Sequence, residues 1–314
     1  MRHGRRVGRE TDAVRLWLLR AAWITLPLTA APALAAGVRD WRTAEQVVAA
    51  VLCWLAYGVG LVAVLAPRPA GLTILRVFAP ALLVAVVVAV ASGHPSTLAA
   101  IGGLAGTIVA AVLAADSEFA IASANAVAYG DEQRYPLRVP PALFLGPLPV
   151  VRAVVVAGVV VGPLLLAGTH YLAGGIAVAV GLPLALLAGR ALHRLSRRWL
   201  VLVPAGVVVV DRMSLVENTL FPREHIELLR SFAADESPGT ALDLRMGATL
   251  GSLLATFDEP AELVLAARPG KDARTVNAPA MVIAVARRAE VLAGAARRRV
   301  RAEVGGPPAP TTSG

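Results

Sequence analysis

The sequence predicts a membrane bundle of six α-helical spans followed by a small β-rich barrel or sandwich with a C-terminal amphipathic helix. Three observations predict it. Apolar runs of about 20 residues with at most one charged residue each, the length needed to cross hydrocarbon, recur through the first 189 residues. The stretch GRALHRLSRR at 189–198 then closes the last run with four arginines. Beyond it the pattern changes to short β-branched segments that carry charges of both signs. Composition agrees, since 57% of the 314 residues are hydrophobic, 16% are charged and the mean hydropathy is +0.67.

Residues 1–15 are basic (Arg2, Arg5, Arg6, Arg9, Arg15) without an apolar pattern, and are expected to form a cytoplasmic tail. Residues 16–36 form the first apolar run. Its basic start and the small residues Ala33–Ala36 resemble a secretory signal. Arg20 interrupts the middle, however, and Trp17 and Trp23 extend the segment to spanning length, so an uncleaved span is the expectation. The next runs are 44–66, 72–91, 97–115, 150–168 and 171–189. Gly102 and Gly106, and again Gly158 and Gly162, lie four apart, a spacing that lets two helix backbones approach. Together, residues 16–189 are expected to form the membrane domain.

Charge sets the expected orientation. With six spans, one face collects the tail arginines, Arg68, Arg76, Arg134, Arg138, Arg152, Arg190, Arg194, Arg197 and Arg198, against Arg39 and Arg42 on the other. Arginine is enriched on the cytoplasmic side, so both termini are expected inside the cell. Arg190, Arg194, Arg197 and Arg198 form a collar over 190–198, placed to meet anionic headgroups of the lipid bilayer.

The long cytoplasmic connection, 116–149, is expected to begin as a continuation of the fourth helix. Glu118, Asn125 and Tyr129 would then share one face. Five prolines between Pro136 and Pro149 point to an extended lead into the fifth span. In the last third, 199–203 and 206–212 read as a hairpin, and further strands follow at 215–221, 225–232, 241–246, 252–257 and 261–268. Val282, Val285, Ala289, Leu292 and Ala296 fall at helical spacing, which predicts a helix over 279–301. Residues 302–314 are too poor in apolar groups to fold and are expected to be disordered.

RRWLVLVPAGVVVVDR (197–212), ENTLFPREHIELL (217–229) and the closing helix resemble the pleckstrin-homology-like domains that some bacterial multi-span membrane proteins carry. The resemblance covers 199–301. It implies a bent antiparallel barrel of seven strands, plugged at one end by the helix, in a protein of the bacterial inner membrane. The first hairpin loop, Pro-Ala-Gly at 204–206, is uncharged, so the resemblance does not extend to phosphoinositide recognition.

Candidate chemistry is sparse. Asp116 and Glu118 are carboxylates at a span edge, and they have Arg20 and Arg76 as candidate partners one turn inside neighbouring spans. With Asn125 these form the candidate polar cluster. The competing explanation is that the helix simply emerges into water at this point. His94 and His170 lie in outer loops with only Asp40 as a further ligand, short of the three or four that zinc takes. Cys53 is the single cysteine and sits in an apolar run. No nucleophile elbow, phosphate loop or HExxH motif occurs, and no cofactor or metal is expected. Nucleic acid is excluded because the positive charge lies at span ends. Residues 199–300 carry twelve basic and twelve acidic groups, with Arg297, Arg298 and Arg299 gathered on the last helix. The expected function is that of a non-enzymatic scaffold or regulator with a cytosolic or membrane protein partner. The runner-up is a small transporter or an accessory subunit of one.

Overall fold

A computed structural model describes residues 3–267 and 272–303, which divide into two compact units. The first comprises residues up to Ala126 together with Leu148–His193. The second joins Val127–Pro147 to the chain from Arg194 onward.

The first unit is helical. Five of its helices are long and apolar enough to cross a membrane, or six if a bent pair counts as one span. The bent pair is α1 (His3–Thr29) and α2 (Ala31–Gly37), related by 40°. Pro32, in the first turn of α2, has no N–H to continue the ladder of α1, and so the chain breaks at Ala30. The helix begins at His3, so the basic tail expected over 1–15 is helical from that residue on. Ala33 and Ala36, within the expected cleavage pattern, are buried in the bundle. The remaining spans are α3 (Thr43–Leu65), α4 (Pro69–Gly93), α5 (Thr97–Ala115), α8 (Pro147–Ala167) and α9 (Tyr171–Ser196).

Lipid supplies no hydrophobic drive between helices, so close packing has to hold the bundle. Small residues provide it. A methyl group on Gly158 would strike the Gly181 carbonyl and Ala185, and one on Gly162 would meet Val178, so α8 and α9 touch along the predicted glycine pair. Of the other pair, Gly106 presses on the Thr29 side chain while Gly102 has room, and the neighbouring Gly103 contacts Ala33 and Val86. The buried core of α1 to α5 is centred on Trp23, Leu75 and Val86.

The expected continuation of α5 past residue 115 does not occur. Asp116 adopts an extended conformation and caps a new helix, α6 (Ser117–Asn125), by accepting from the Glu118 amide at 3.0 Å. Asp-Ser-Glu is a helix-start signal, and it overrides the helix propensity on either side. Tyr129 therefore lies beyond α6 and is exposed.

The second unit contains two four-stranded sheets. In the first, β1 (Gln133–Pro136), β2 (Trp199–Val203), β3 (Gly206–Val210) and β4 (Thr219–Pro222) follow one another as antiparallel neighbours. β1 comes from the connection between α6 and α8, so a stretch expected to be only a proline-rich lead supplies an edge strand. A short helix, α7 (Pro141–Leu145), follows it. The second sheet has the order β5-β7-β8-β6, with β5 (Ile226–Ser231), β6 (Leu242–Asp243), β7 (Ser252–Leu265) and β8 (Arg274–Ala284). The β6–β8 pair is parallel. The described residues thus form eight strands in two sheets, where the resemblance implies seven antiparallel ones.

β7 runs through Asp258–Pro260, which reads as a turn in the sequence. Its ladder with β8 is interrupted between Thr256 and Ala261, and Pro260 and Pro279 both fall in that gap, where neither needs to donate. The helix expected over 279–301 is corrected in its first half. Met281, Val282 and Ile283 are all buried strand residues, and α10 spans only Arg288–Arg297. A strand buried on both faces has a continuous apolar run, which periodicity does not separate from a helix. Both sheets and α10 close on one core that includes Leu200, Leu253, Ile283, Val291 and a stacked Phe221–Phe257 pair, with ring centroids 4.8 Å apart. Of the tail expected to be disordered over 302–314, Ala302 and Glu303 run beside Leu229 of β5, and residues from 304 lie outside the described part.

Candidate functional site

The residues of the predicted polar cluster lie on α1 (Arg20), on α4 (Arg76) and on α6 with its cap (Asp116, Glu118, Asn125). Asp116 pairs with Arg15 at 2.7 Å, a partner not anticipated from the sequence. Arg20 sits 4.9 Å over the Trp17 ring and makes a long contact of 3.5 Å to the Val64 carbonyl. Asn125 donates back to the Ile121 carbonyl one turn earlier. Glu118 is buried on α6. Arg76, on α4, has the like-charged Arg152 of α8 as its electrostatic neighbour. Among the described residues no three His, Cys, Asp or Glu side chains converge as metal ligands, His94 and His170 included.

The arginine collar divides in two. α9 carries Arg190 and Arg194 on its exposed surface, and Arg197 lies exposed over the Trp199 ring at 5.9 Å. Arg198 is a correction to the expected membrane-surface role. It is buried and grips Asp211, with Nε and Nη2 each 2.7 Å from a carboxylate oxygen, while Nη1 reaches the Arg138 carbonyl at 3.2 Å. Sequence position one residue before β2 turns it into the core of the second unit rather than toward solvent.

What the second unit does bring together is a set of arginines. A cleft of about 400 Å³ is lined by Asp131, Gln133, Pro204, Arg223, Arg297, Arg298 and Arg299. Its walls come from four places: the approach to β1, the β2–β3 turn, the β4–β5 turn and the end of α10. The two turns are tied by the Arg223 amide, which donates to the Ala205 carbonyl at 2.9 Å. Gly206 fits this junction because a side chain there would strike the Phe221 carbonyl, and its φ of 154° lies in the region that favours glycine. Arg298 is held in place by Gln133 Oε1 at 3.1 Å and by the Asp131 carbonyl. No protein family, curated protein or solved structure matches this chain.

The end of α10 is a Schellman turn. Val300 donates to the Ala295 carbonyl at 3.1 Å and Arg299 to the Ala296 carbonyl at 3.1 Å. Glycine usually occupies the left-handed position of this motif, yet here it is Arg299, with φ at 62°. A side chain in that conformation costs about 1 kcal/mol. The turn sends Val300 into the core and leaves Arg299 exposed at the cleft. Four guanidinium groups against the one carboxylate of Asp131 make the cleft strongly positive. Arg134 beside it is engaged by Glu132, and this hydrogen bond holds the Glu132 carboxyl below its ordinary range. The buried Tyr135 phenol is pushed above its ordinary range by desolvation.

The sequence already gathers Arg297–Arg299, where a helix C-terminus attracts cations in any case. Arg223, contributed by a turn more than seventy residues earlier, carries no local signal that it joins them. The apolar groove of about 470 Å³ between α1 and α5, lined by residues such as Leu18, Ile108 and Val112, has Thr25 as its one polar side chain, and that hydroxyl donates back to the Ala21 carbonyl at 3.0 Å.

Proposed function

We propose that this chain is a non-enzymatic scaffold or regulator of the inner membrane, whose second unit lies on the cytoplasmic side and docks an acidic segment of a partner protein. The arginine cleft supports this reading, and Arg299 is the single observation that carries it. A strained conformation is retained at the cleft in a position where glycine would relieve it, and such strain gathers where side chains act. The guanidinium groups provide paired donors suited to carboxylates.

The test uses the full chain in detergent, a labelled acidic peptide and vesicles of phosphatidylglycerol. Charge reversal in Arg223→Glu and Arg299→Glu should weaken peptide binding at least tenfold, and the wild-type affinity should fall steeply with salt. Arg299→Gly should stabilise the second unit by about 1 kcal/mol while weakening binding, so that stability and affinity move in opposite directions. Vesicle binding that depends on these arginines, with no peptide binding, would replace the protein partner with the membrane surface. Equal binding by all variants would reject the cleft.

The runner-up, a small transporter or an accessory subunit of one, draws support from a different place. Arg76 on α4 and Arg152 on α8 are ionised groups within the membrane unit, where such groups often mark a path.

A further inference from the structure

The groove between α1 and α5 is closed at one end and has a charged pair at the other. Its walls include Ala21, Ala22 and Thr25 of α1 and Ile108, Val109 and Val112 of α5. At the closed end Gly106 presses on Thr29, so the two helices are in contact there. Farther along, the small side chains of Ala21 and Ala22 leave a trough. Its last lining residues are Leu18 and Leu113. One turn beyond them, Arg15 Nη1 and Asp116 Oδ2 join the same two helices at 2.7 Å. From Leu18 to Thr25 the groove runs about 10 Å, most of the roughly 15 Å depth of one hydrocarbon leaflet.

Leu18, Val109 and Val112 are exposed, so the groove opens toward lipid, and an acyl chain is what it meets in a bilayer. A chain stays in place only if its headgroup is held. The charged pair is suited to that. An ion pair this exposed contributes little to stability, but it does fix a guanidinium. Asp116 is itself anchored, since Oδ1 accepts from the Glu118 amide at 3.0 Å and from the Ser117 hydroxyl at 3.3 Å. The bridge engages Nη1 of Arg15, whose side chain remains 53% exposed, so most of the donor fork is open to a ligand. Arg15 precedes the apolar run of α1 and Asp116 follows α5, which puts both at headgroup level. A lipid phosphate there accepts paired N–H donors while its chain enters the groove.

We propose that the α1–α5 groove seats a glycerophospholipid, with one acyl chain between the helices and its phosphate on the Arg15 guanidinium that Asp116 holds. A partner helix fits less well, because the exposed Leu18, Ile108 and Val112 keep a second backbone away. The proposal goes beyond the docking role of the second unit and does not depend on it.

The experiment measures lipid binding to the delipidated full chain in detergent by native mass spectrometry. One probe is phosphatidylethanolamine, which has a phosphate but no net charge to draw it to the cationic cleft. The other is a diglucosyl diacylglycerol with the same chains and no phosphate. Wild type should bind the phospholipid about tenfold more tightly than the glycolipid. Arg15→Gln should erase that preference. Ala21→Phe, which fills the groove from an exposed position, should weaken binding of both lipids. Val62→Phe, exposed on α3, should behave as wild type. Equal affinity of wild type for the two lipids, or unchanged binding by Arg15→Gln or Ala21→Phe, overturns the proposal. A wild-type dimer that Ala21→Phe dissolves would put a second copy in the groove and overturn it as well. Should Arg15→Gln not fold, the two lipids compared on wild type and on Ala21→Phe decide alone.

Discussion

Arg198→Ala should destabilise the second unit by about 3–5 kcal/mol, enough to unfold a marginal domain. The reason is the group left behind. Asp211 has a fully buried side chain, and without Arg198 its charge would be stranded in the core. The amide of Met213, 3.0 Å from Oδ1, would remain as a neutral donor and could not replace a cation. Replacing both partners removes the stranded charge, so Arg198→Met with Asp211→Leu should recover most of the loss. Arg197→Ala, one residue earlier and exposed, should stay within about 0.5 kcal/mol of wild type. Hydrogen exchange across β2 and β3 in the full chain reads all three. If Arg198→Ala and Arg197→Ala protect these strands equally, the buried pair does not hold the unit together.

In the membrane unit the largest loss is expected at Trp23. Its side chain is fully buried, its indole N–H donates to the Tyr57 carbonyl at 3.0 Å, and Gly60 leaves the space the ring occupies. Trp23→Ala would open a cavity the size of an indole and should cost about 3 kcal/mol, at the lower end of the range for aqueous cores. Lipid can fill exposed gaps, but it cannot reach one that is fully enclosed in the bundle core. Gly60→Leu should be comparably damaging, because its Cβ alone would fall within the Trp23 ring. Trp17, 65% exposed, provides the contrast, and Trp17→Ala should leave the melting temperature in detergent nearly unchanged. Equal effects at the two tryptophans would mean that α1 does not pack with the face described.

The long elements were legible because each rests on a strong local signal. Apolar runs of spanning length marked α3, α4, α5 and α8 within three residues and the start of α9, which continues seven residues past its run to Ser196, and β-branched runs around Pro204–Gly206 marked the β2–β3 hairpin. The failures have a common cause, which is that a distant partner decided the local structure. Gln133–Pro136 has no strand signature of its own and becomes one by pairing with β2, with Tyr135 opposite Leu200. Residues 279–285 looked helical because burial on both faces erased the alternation that distinguishes a strand. Arg198 was assigned to headgroups by its neighbours, while its true partner, Asp211, lies across the hairpin. The cleft was half legible, since Arg297–Arg299 are adjacent in sequence, but only folding adds Arg223 to them.

The account depends on the second unit being built from two separated stretches of chain, with β1 inserted beside β2. Cysteine cross-linking tests this directly, in full-length protein with Cys53 replaced by serine. Arg134 is the register partner of Val201 across β1 and β2, and Val201 is that of Val208 across the hairpin. Both double-cysteine pairs should form disulfides under mild oxidation, because directly opposed strand residues lie within bonding reach. Efficient cross-linking at both pairs is the predicted result. A cross-link between positions 201 and 208 with none between 134 and 201 would contradict it, leaving the connection outside the sheet and the cleft without its β1 wall.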